Sequence, residues 1–141
     1  MQYQEPPPIF GSLIFYQKIN CSEQQLNLIV PQLTAILQGQ RIANRTNSET
    51  IKKAFYLAIS NAIVNWNKKE PSRKIIIQLF VGERRWGVDI SNESKVEMEE
   101  VDYLGGDIKA EQELQFLDEC MDEVYYFMER DILRFMMIRS R

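Results

Sequence analysis

Apolar residues recur at helical spacing between Ile51 and Glu70, so that their side chains share one face of a predicted α-helix. The stripe consists of Ile51, Ala54, Phe55, Ala58, Ile59, Ala62, Ile63 and Trp66. Asn61 and Asn65 lie one turn apart beside this stripe, on the same line as Leu57. Because that line borders the buried face, we expect the two asparagines to line a pocket that the rest of the domain covers.

The N-terminal third of the chain predicts one strand and one helix. Residues 11–19 have the composition of a strand. Ser22 and Gln25 form a capping pair, and apolar residues then continue at helical spacing to Gly39. Pro31 lies inside this helix and removes one backbone donor, so we expect a kink or a start in two pieces.

The middle of the chain predicts a helix followed by a hairpin. Thr46 and Glu49 match a capping box that would start the long helix. Residues 74–81 and 85–91 predict two strands joined by a short turn. The first of these strands is largely apolar on both sides, which is typical of a strand near the middle of a covered sheet.

The C-terminal region predicts a last helix and a closing hairpin. The helix would span residues 110–123, and two β-prone runs from Val124 onward would meet at about Glu129 to Asp131. Together these elements predict an α+β two-layer sandwich, with a mixed, mostly antiparallel sheet of about five strands covered on one face by about three helices. We expect residues 11–141 to form this single domain, after a flexible segment of residues 1–10.

Composition excludes several classes of site. The chain has no histidine, which removes Ser–His and Cys–His nucleophile pairs and the commonest general base near neutral pH. Cys21 and Cys120 match no metal-ligand spacing, so we expect reduced thiols and no structural zinc. The N-terminal residues resemble no secretory signal, and no apolar stretch is long enough to span a bilayer. We therefore expect a cytoplasmic protein that does not bind membranes.

The net charge of −3 is unevenly distributed along the chain. Residues 1–92 carry a net charge of +5, whereas residues 93–123 carry −10. Two interpretations of the acidic segment remain open. It is either a solvated loop and helix face, or a surface that attracts a basic partner and repels nucleic acid. We expect no nucleic-acid partner.

Three segments together resemble a known family. These are IKKAFYLAISNAIVNWNKKE, then RKIIIQLFVGERRWGVDISNES, and then ELQFLDECMDEVYYFMERDILRFMMI. The chain resembles the histidine-kinase-like ATPases of the Bergerat fold, also called GHKL proteins, in the branch that contains the anti-sigma-factor serine kinases. The resemblance covers residues 11–141. It implies a nucleotide site between the long helix, the end of the second hairpin strand and a glycine-rich turn.

The resemblance implies roles for only a few residues. Asn61 matches the family's magnesium-liganding asparagine, and Asn65 one turn later would face the same residual nucleotide site. Leu57 stands where the family has a glutamate that acts as general base, and leucine cannot accept a proton. Asn92 begins the Asn-Glu-Ser sequence that replaces the family's Asp-x-Gly, and an amide replaces the carboxylate that accepts from adenine. These differences imply a degenerate site, at which ATP or ADP with magnesium binds only if the site is not fully lost.

The glycine-rich turn departs furthest from the family. Ala110, Glu111 and Glu113 fall where small residues would surround the triphosphate. A phosphate site needs uncovered backbone N–H groups, and two carboxylates there would repel the nucleotide. Residues 105–107, Gly-Gly-Asp, would be either a displaced lid or an ordinary turn.

Three functions remain open at this point. The first is an anti-sigma-factor-like regulator of bacterial transcription, which would bind a sigma factor or an anti-sigma antagonist through a sheet edge and the acidic surface, with ATP binding and kinase activity lost. The second is a nucleotide-independent structural or assembly protein that retains the fold. The third is an active ATP-dependent serine kinase that uses another carboxylate. Glu49, Glu70 and Asp89 are nearest in sequence, but none lies one turn before Asn61.

The closing hairpin adds one further expectation about partners. It is rich in aromatic residues and methionine, which are most often core residues at strand spacing. Apolar surface left over there would meet a protein partner or a second copy of the chain in a homodimer.

Overall fold

A computed structural model of the chain describes residues 7–68, 70–94 and 108–141. Its strands are β1 (Ser12–Asn20), β2 (Lys74–Val81), β3 (Arg85–Asn92), β4 (Glu123–Glu129) and β5 (Ile132–Ser140). Its helices are α1 (Glu23–Gly39), α2 (Ser48–Asn61) and α3 (Ile108–Cys120), and a π-segment (Ala62–Trp66) continues α2. The predicted α+β class is confirmed. Within the described ranges, no helix is both long enough and apolar enough to cross a membrane.

The five strands form one sheet in the order β1-β2-β3-β5-β4, and all four neighbouring pairs are antiparallel. The pairs β2–β3 and β4–β5 are hairpins, as predicted. The second hairpin turns at Arg130 and Asp131, which both have positive φ, as two-residue turns with the twist of a hairpin require. β1 and β4 are the two outer strands of the sheet.

One face of the sheet packs against the helices and forms the main core. Alternate residues of the central strands β2 and β3 point toward α1 and α2, so the core contains Ile77, Leu79, Val88 and Ile90 beside the buried helix stripes. Trp66 and Trp86 are both fully buried in it. α3 covers the side of the core nearest β4 through Leu117.

The opposite face of the sheet has a smaller apolar cluster. It consists of Phe80, Tyr125, Met136 and Ile138, with Phe10 packed against them. Phe10 lies edge-on to Phe80, with ring centroids 4.7 Å apart, and the Arg85 guanidinium lies over the Phe10 ring. Residues 1–6 of the predicted flexible segment lie outside the described residues.

α1 begins as predicted, because the Ser22 side chain accepts a hydrogen bond from the Gln25 backbone N–H at 3.2 Å. The helix runs through Pro31 as one continuous element, so the predicted start in two pieces is not present. Pro31 removes only one of the helix's backbone hydrogen bonds. The buried apolar residues on both sides of it keep the helix against the core.

The predicted capping box of α2 is wrong. The N-cap residue is Asn47 rather than Thr46, and its side chain makes no capping hydrogen bond. The Asn44 side chain instead accepts hydrogen bonds from the backbone N–H groups of Thr46 and Asn47, while the Asn47 side chain accepts from the backbone of Asn44. Two asparagines therefore fold the connection before α2, as short amide side chains commonly do in turns.

The remaining boundaries differ modestly from the prediction. The predicted helix over 51–70 is an α-helix only to Asn61 and then becomes the π-segment. The last helix spans Ile108–Cys120 instead of the predicted residues 110–123. It ends earlier because the chain already joins the sheet at Glu123. The Lys53 ammonium lies 4.3 Å from the ring centre of Phe116, a contact between α2 and α3.

Candidate functional site

The π-segment lies at the position that the sequence marks as the candidate site. A π-turn spans five residues per hydrogen bond instead of four, so it inserts an extra residue into a helix. Asn67 follows the segment, and its side-chain amide donates a 2.9 Å hydrogen bond to the Ala62 carbonyl five residues earlier. The local geometry is therefore stabilised by a side chain as well as by the backbone.

Asn61 and Asn65 are brought together, as their spacing predicts. The Asn65 Nδ2 donates to the Asn61 Oδ1, and both side chains are half-buried. Asn61 Oδ1 is the oxygen that would bind magnesium according to the family resemblance. Since it already accepts a hydrogen bond from a neighbouring amide, one of its two lone pairs is occupied within the helix.

Asn92 lies in a second polar contact, with a residue that the sequence reasoning missed. The Asn67 Nδ2 donates to the Asn92 Oδ1 at 2.9 Å, and both residues are 2% exposed. This bridge joins the end of the π-segment to the end of β3. The Asn92 Nδ2 is buried and has no hydrogen-bond partner among the described residues. The oxygen that would read an adenine amino group is thus already used by a protein donor.

A signal for Asn67 was present in the sequence. Asn67 lies four residues after Ile63, on the buried stripe, and a polar residue at a buried helical position requires a partner. The partner could not be named, because it depends on the π-turn and on the register of β3. The three predicted site residues and Asn67 therefore form two hydrogen-bonded amide pairs, Asn61 with Asn65 and Asn92 with Asn67.

Leu57 occupies the position of the missing general base. Its side chain is half-buried and packs against the main core. The nearest carboxylates in sequence have other partners: Glu49 pairs with Lys52, and Glu70 accepts from the Ser72 hydroxyl. Asp89 alternates with core residues along β3 and therefore lies on the opposite face of the sheet from the helices.

Asp89 forms a buried ion pair on that opposite face. The Arg134 Nε donates to the Asp89 Oδ1 at 2.8 Å, across the β3–β5 pair. Burial raises the pKa of the Asp89 carboxyl, while the charge and the hydrogen bond of Arg134 act in the opposite direction. This pair is a structural contact between strands, on the face of the sheet opposite to Asn92.

The acidic segment is described only in part. Residues 95–107, including the Gly-Gly-Asp sequence at 105–107, lie outside the described residues. Glu111 is exposed in the first turn of α3 and Glu113 is half-buried. In the described part of the chain, no group of three or more acidic, cysteine or histidine side chains is close enough to hold a metal ion.

The two cysteines are free thiols. Burial raises the pKa of the Cys21 thiol to about 11, and it also raises the pKa of Cys120. A raised pKa keeps a thiol protonated and weakly nucleophilic, so neither cysteine has the character of a catalytic nucleophile.

Comparisons with known proteins leave the family assignment open. No known protein family matches the chain. No curated protein matches it either. The likeness to histidine-kinase-like ATPases therefore stays a prediction.

Proposed function

We propose that this chain is a regulatory protein-binding module of the anti-sigma type, whose nucleotide site no longer supports phosphoryl transfer. The observation that carries this proposal is the packing of Leu57 against the main core at the position of the family's general base. Without a proton acceptor one turn before Asn61, a substrate hydroxyl cannot be activated there. The proposed setting is the bacterial cytoplasm, and the proposed partner is a sigma factor or an anti-sigma antagonist.

The two amide pairs support the same proposal. Asn61 and Asn92 would each have to present an amide oxygen to a bound Mg-nucleotide, yet a hydrogen bond from another asparagine already occupies one lone pair of each oxygen. Breaking the buried Asn67–Asn92 bond would leave polar groups without partners, at a cost of about 1–3 kcal/mol. A nucleotide would have to compensate for that cost in addition to the charge repulsion from α3.

Nucleotide binding is tested by calorimetric titration with Mg-ATP and Mg-ADP, supported by thermal unfolding. We expect no heat of binding and no stabilisation at about 1 mM nucleotide, because the degenerate site does not hold it. A ligand that bound only the folded state would stabilise it by RT ln(1 + [L]/Kd). Stabilisation that disappears in Asn61→Ala would overturn the proposal in favour of the active kinase. Asn27→Ala, an exposed asparagine on α1, is the matched control.

Partner binding is tested with the immobilised chain and purified sigma factors and anti-sigma antagonists from the same organism. We expect one of these proteins to bind without nucleotide and without becoming phosphorylated. If none of them binds, and nucleotide does not bind either, the structural or assembly function replaces the regulatory one. A homodimer would be detected in the same preparation by light scattering.

A further inference from the structure

β1 is an outer strand of the sheet with exposed side chains. Among the residues that the structure describes, it pairs with β2 alone, and this pairing is regular from Phe15 to Asn20 after a bulge between Leu13 and Phe15. Leu13 and Tyr16 are 48% and 54% exposed. The other outer strand, β4, differs because Val124, Tyr125 and Tyr126 are buried. β1 is therefore the outer strand that is better placed to pair with an additional strand.

A small cavity lies beside this strand, between β1 and α1. Its volume is about 120 Å³, and it is lined by Gln17, Ile19, Gln25, Leu28, Ile29 and Gln32. Leu28 is an apolar residue that is 54% exposed at this site. Ligand pockets usually measure about 300–1,000 Å³, so this cavity has the size for one side chain rather than for a cofactor.

The charges around β1 indicate what the cavity accepts. The residues that line it carry no charge, since three are glutamines and the others are Ile19, Leu28 and Ile29. Lys18, the single charged residue of β1, forms an ion pair with Glu93. A charged side chain placed in the cavity would lose its water without gaining a counter-charge, which is costly. An uncharged side chain fits, and Ile19, Leu28 and Ile29 give an aliphatic one apolar contacts.

We propose that an extended, uncharged segment of a protein partner adds to the sheet beside β1 and places one aliphatic side chain in the cavity between β1 and α1. Strand addition supplies backbone hydrogen bonds whatever the sequence, and a pocket for alternate side chains supplies the specificity. This inference rests on the proposed function, because it assigns the surface through which a protein-binding module holds its partner.

A second copy of the chain fits this surface less well than a partner segment. In a β1–β1 pairing, the side chain that enters the cavity would come from the helix-facing side of the other copy's β1. Ile19 on that side is buried in its own core, and Phe15 packs against the same core. Neither is free to fill a cavity in another molecule.

The probe is an acetylated and amidated heptapeptide with leucine at its centre and alternating threonine and glutamine on both sides. We expect it, at about 1 mM, to shift the backbone amide signals of residues 15–20 and 25–32 in a ¹⁵N NMR titration. Glutamate in place of the leucine should weaken binding by about ten-fold or more, since it places a charge in a neutral cavity. Methylation of alternate peptide nitrogens should abolish binding, since it removes the strand hydrogen bonds.

Leu28→Lys tests the cavity from the side of the protein. Leu28 is exposed on α1, so the variant should fold. Its charge at the cavity should weaken binding of the leucine peptide by about ten-fold. Tyr56→Lys, which replaces an exposed aromatic residue on α2, is the matched control and should bind the peptide normally. Absence of peptide binding, shifts outside β1 and α1, or equal effects of the two variants would each overturn the proposal.

The remaining outcomes separate this proposal from the proposed function. Concentration-dependent shifts of β1 without peptide would indicate self-association and would overturn the partner-segment proposal. A sigma factor or antagonist could bind the Leu28→Lys variant as tightly as it binds the unchanged chain. That result would overturn the proposal that the partner binds at β1, but it would support the regulatory function. Peptide binding by a chain that captures neither protein would support the β1 surface and reject the regulatory function.

Discussion

Gly87 is a position in β3 where the sheet has no room for a side chain. An ideal Cβ there would lie 2.5 Å from the Phe80 Cζ and 2.7 Å from the Met137 carbonyl oxygen. Phe80 is fully buried next to Met136, so its ring has little freedom to move. The carbonyl oxygen belongs to the sheet backbone, which is held by the β3–β5 pairing.

We therefore expect Gly87→Ala to lower the free energy of unfolding by about 1–3 kcal/mol, the usual cost of forcing extra atoms into a packed core. Gly39→Ala is the matched control, because nothing lies within 4 Å of the added Cβ at the end of α1. It should leave stability unchanged or raise it by up to about 1 kcal/mol. Urea denaturation of both variants measures the difference, and equal stabilities would contradict the packing around Gly87.

Asp89 gives stability a defined dependence on pH. Burial raises the pKa of its carboxyl above the usual 3.8, against the opposing effect of Arg134. The folded protein therefore holds the proton more tightly than the unfolded chain does. The contribution of Asp89 to stability is fully present at low pH and is lost as the pH rises through the raised pKa.

Asp89→Asn removes this titration. As the pH rises from 3.8 to about 7, we expect the difference in unfolding free energy between the two proteins to change in favour of the variant. Urea denaturation at several pH values measures that difference. A constant difference would mean that the Arg134 pair cancels the effect of burial, and a change in favour of aspartate would mean that the pair outweighs it.

At the scale of elements, the two long helices begin in different ways. α1 begins at a serine whose side chain caps the Gln25 N–H, whereas α2 begins after a turn built by Asn44 and Asn47. We expect Ser22→Ala to lower the unfolding free energy by about 1 kcal/mol, the typical value of an N-cap. Thr46→Ala should change it by less than about 0.5 kcal/mol, because its side chain caps nothing in α2. Thermal unfolding compares them, and the reverse order would restore the capping box.

The apolar spacing was sufficient to predict the elements and most of the buried stripe. Residues 51, 54, 55, 58, 59, 62, 63 and 66 are all buried, because helical periodicity and burial have the same physical origin. Both hairpins were also predictable, from paired β-prone runs separated by a few residues. The start of α2 was not, because Thr46 and Asn47 both suit an N-cap, and side-chain contacts within the Asn44 turn decide between them.

The candidate site was predicted in part. Spacing alone brings Asn61 and Asn65 together, since residues four apart meet on a helix. The contact of Asn92 with Asn67 joins two elements that are 25 residues apart in the chain, and it depends on the π-segment. No local pattern carries that information.

At the scale of the whole molecule, all helices and strands share one main core, which contains both tryptophans. Trp66 packs edge-on against Tyr126 of β4, and Trp86 against Phe55 of α2. The two residues therefore report on different parts of the core. A core that is continuous across the domain should unfold in one step.

We expect Trp66→Phe and Trp86→Phe each to unfold in a single transition. In each variant, fluorescence of the remaining tryptophan and far-UV circular dichroism should give the same midpoint. The protein with both tryptophans is the control for the effect of substitution on stability. A fluorescence midpoint that differs from the dichroism midpoint would show that one side of the core unfolds separately.

The π-segment also has a consequence for the history of this chain. One extra residue widens the turn between Ala62 and Trp66, so loss of a single residue there would restore an ordinary α-helix. Because the turn narrows as the residue is lost, the residues on both sides of the segment would keep their places around the helix axis. Asn67 would stay opposite Asn92, and the link between this helix and the sheet would be kept. The segment is thus a point at which homologous chains can differ in length by one residue and still share the amide link.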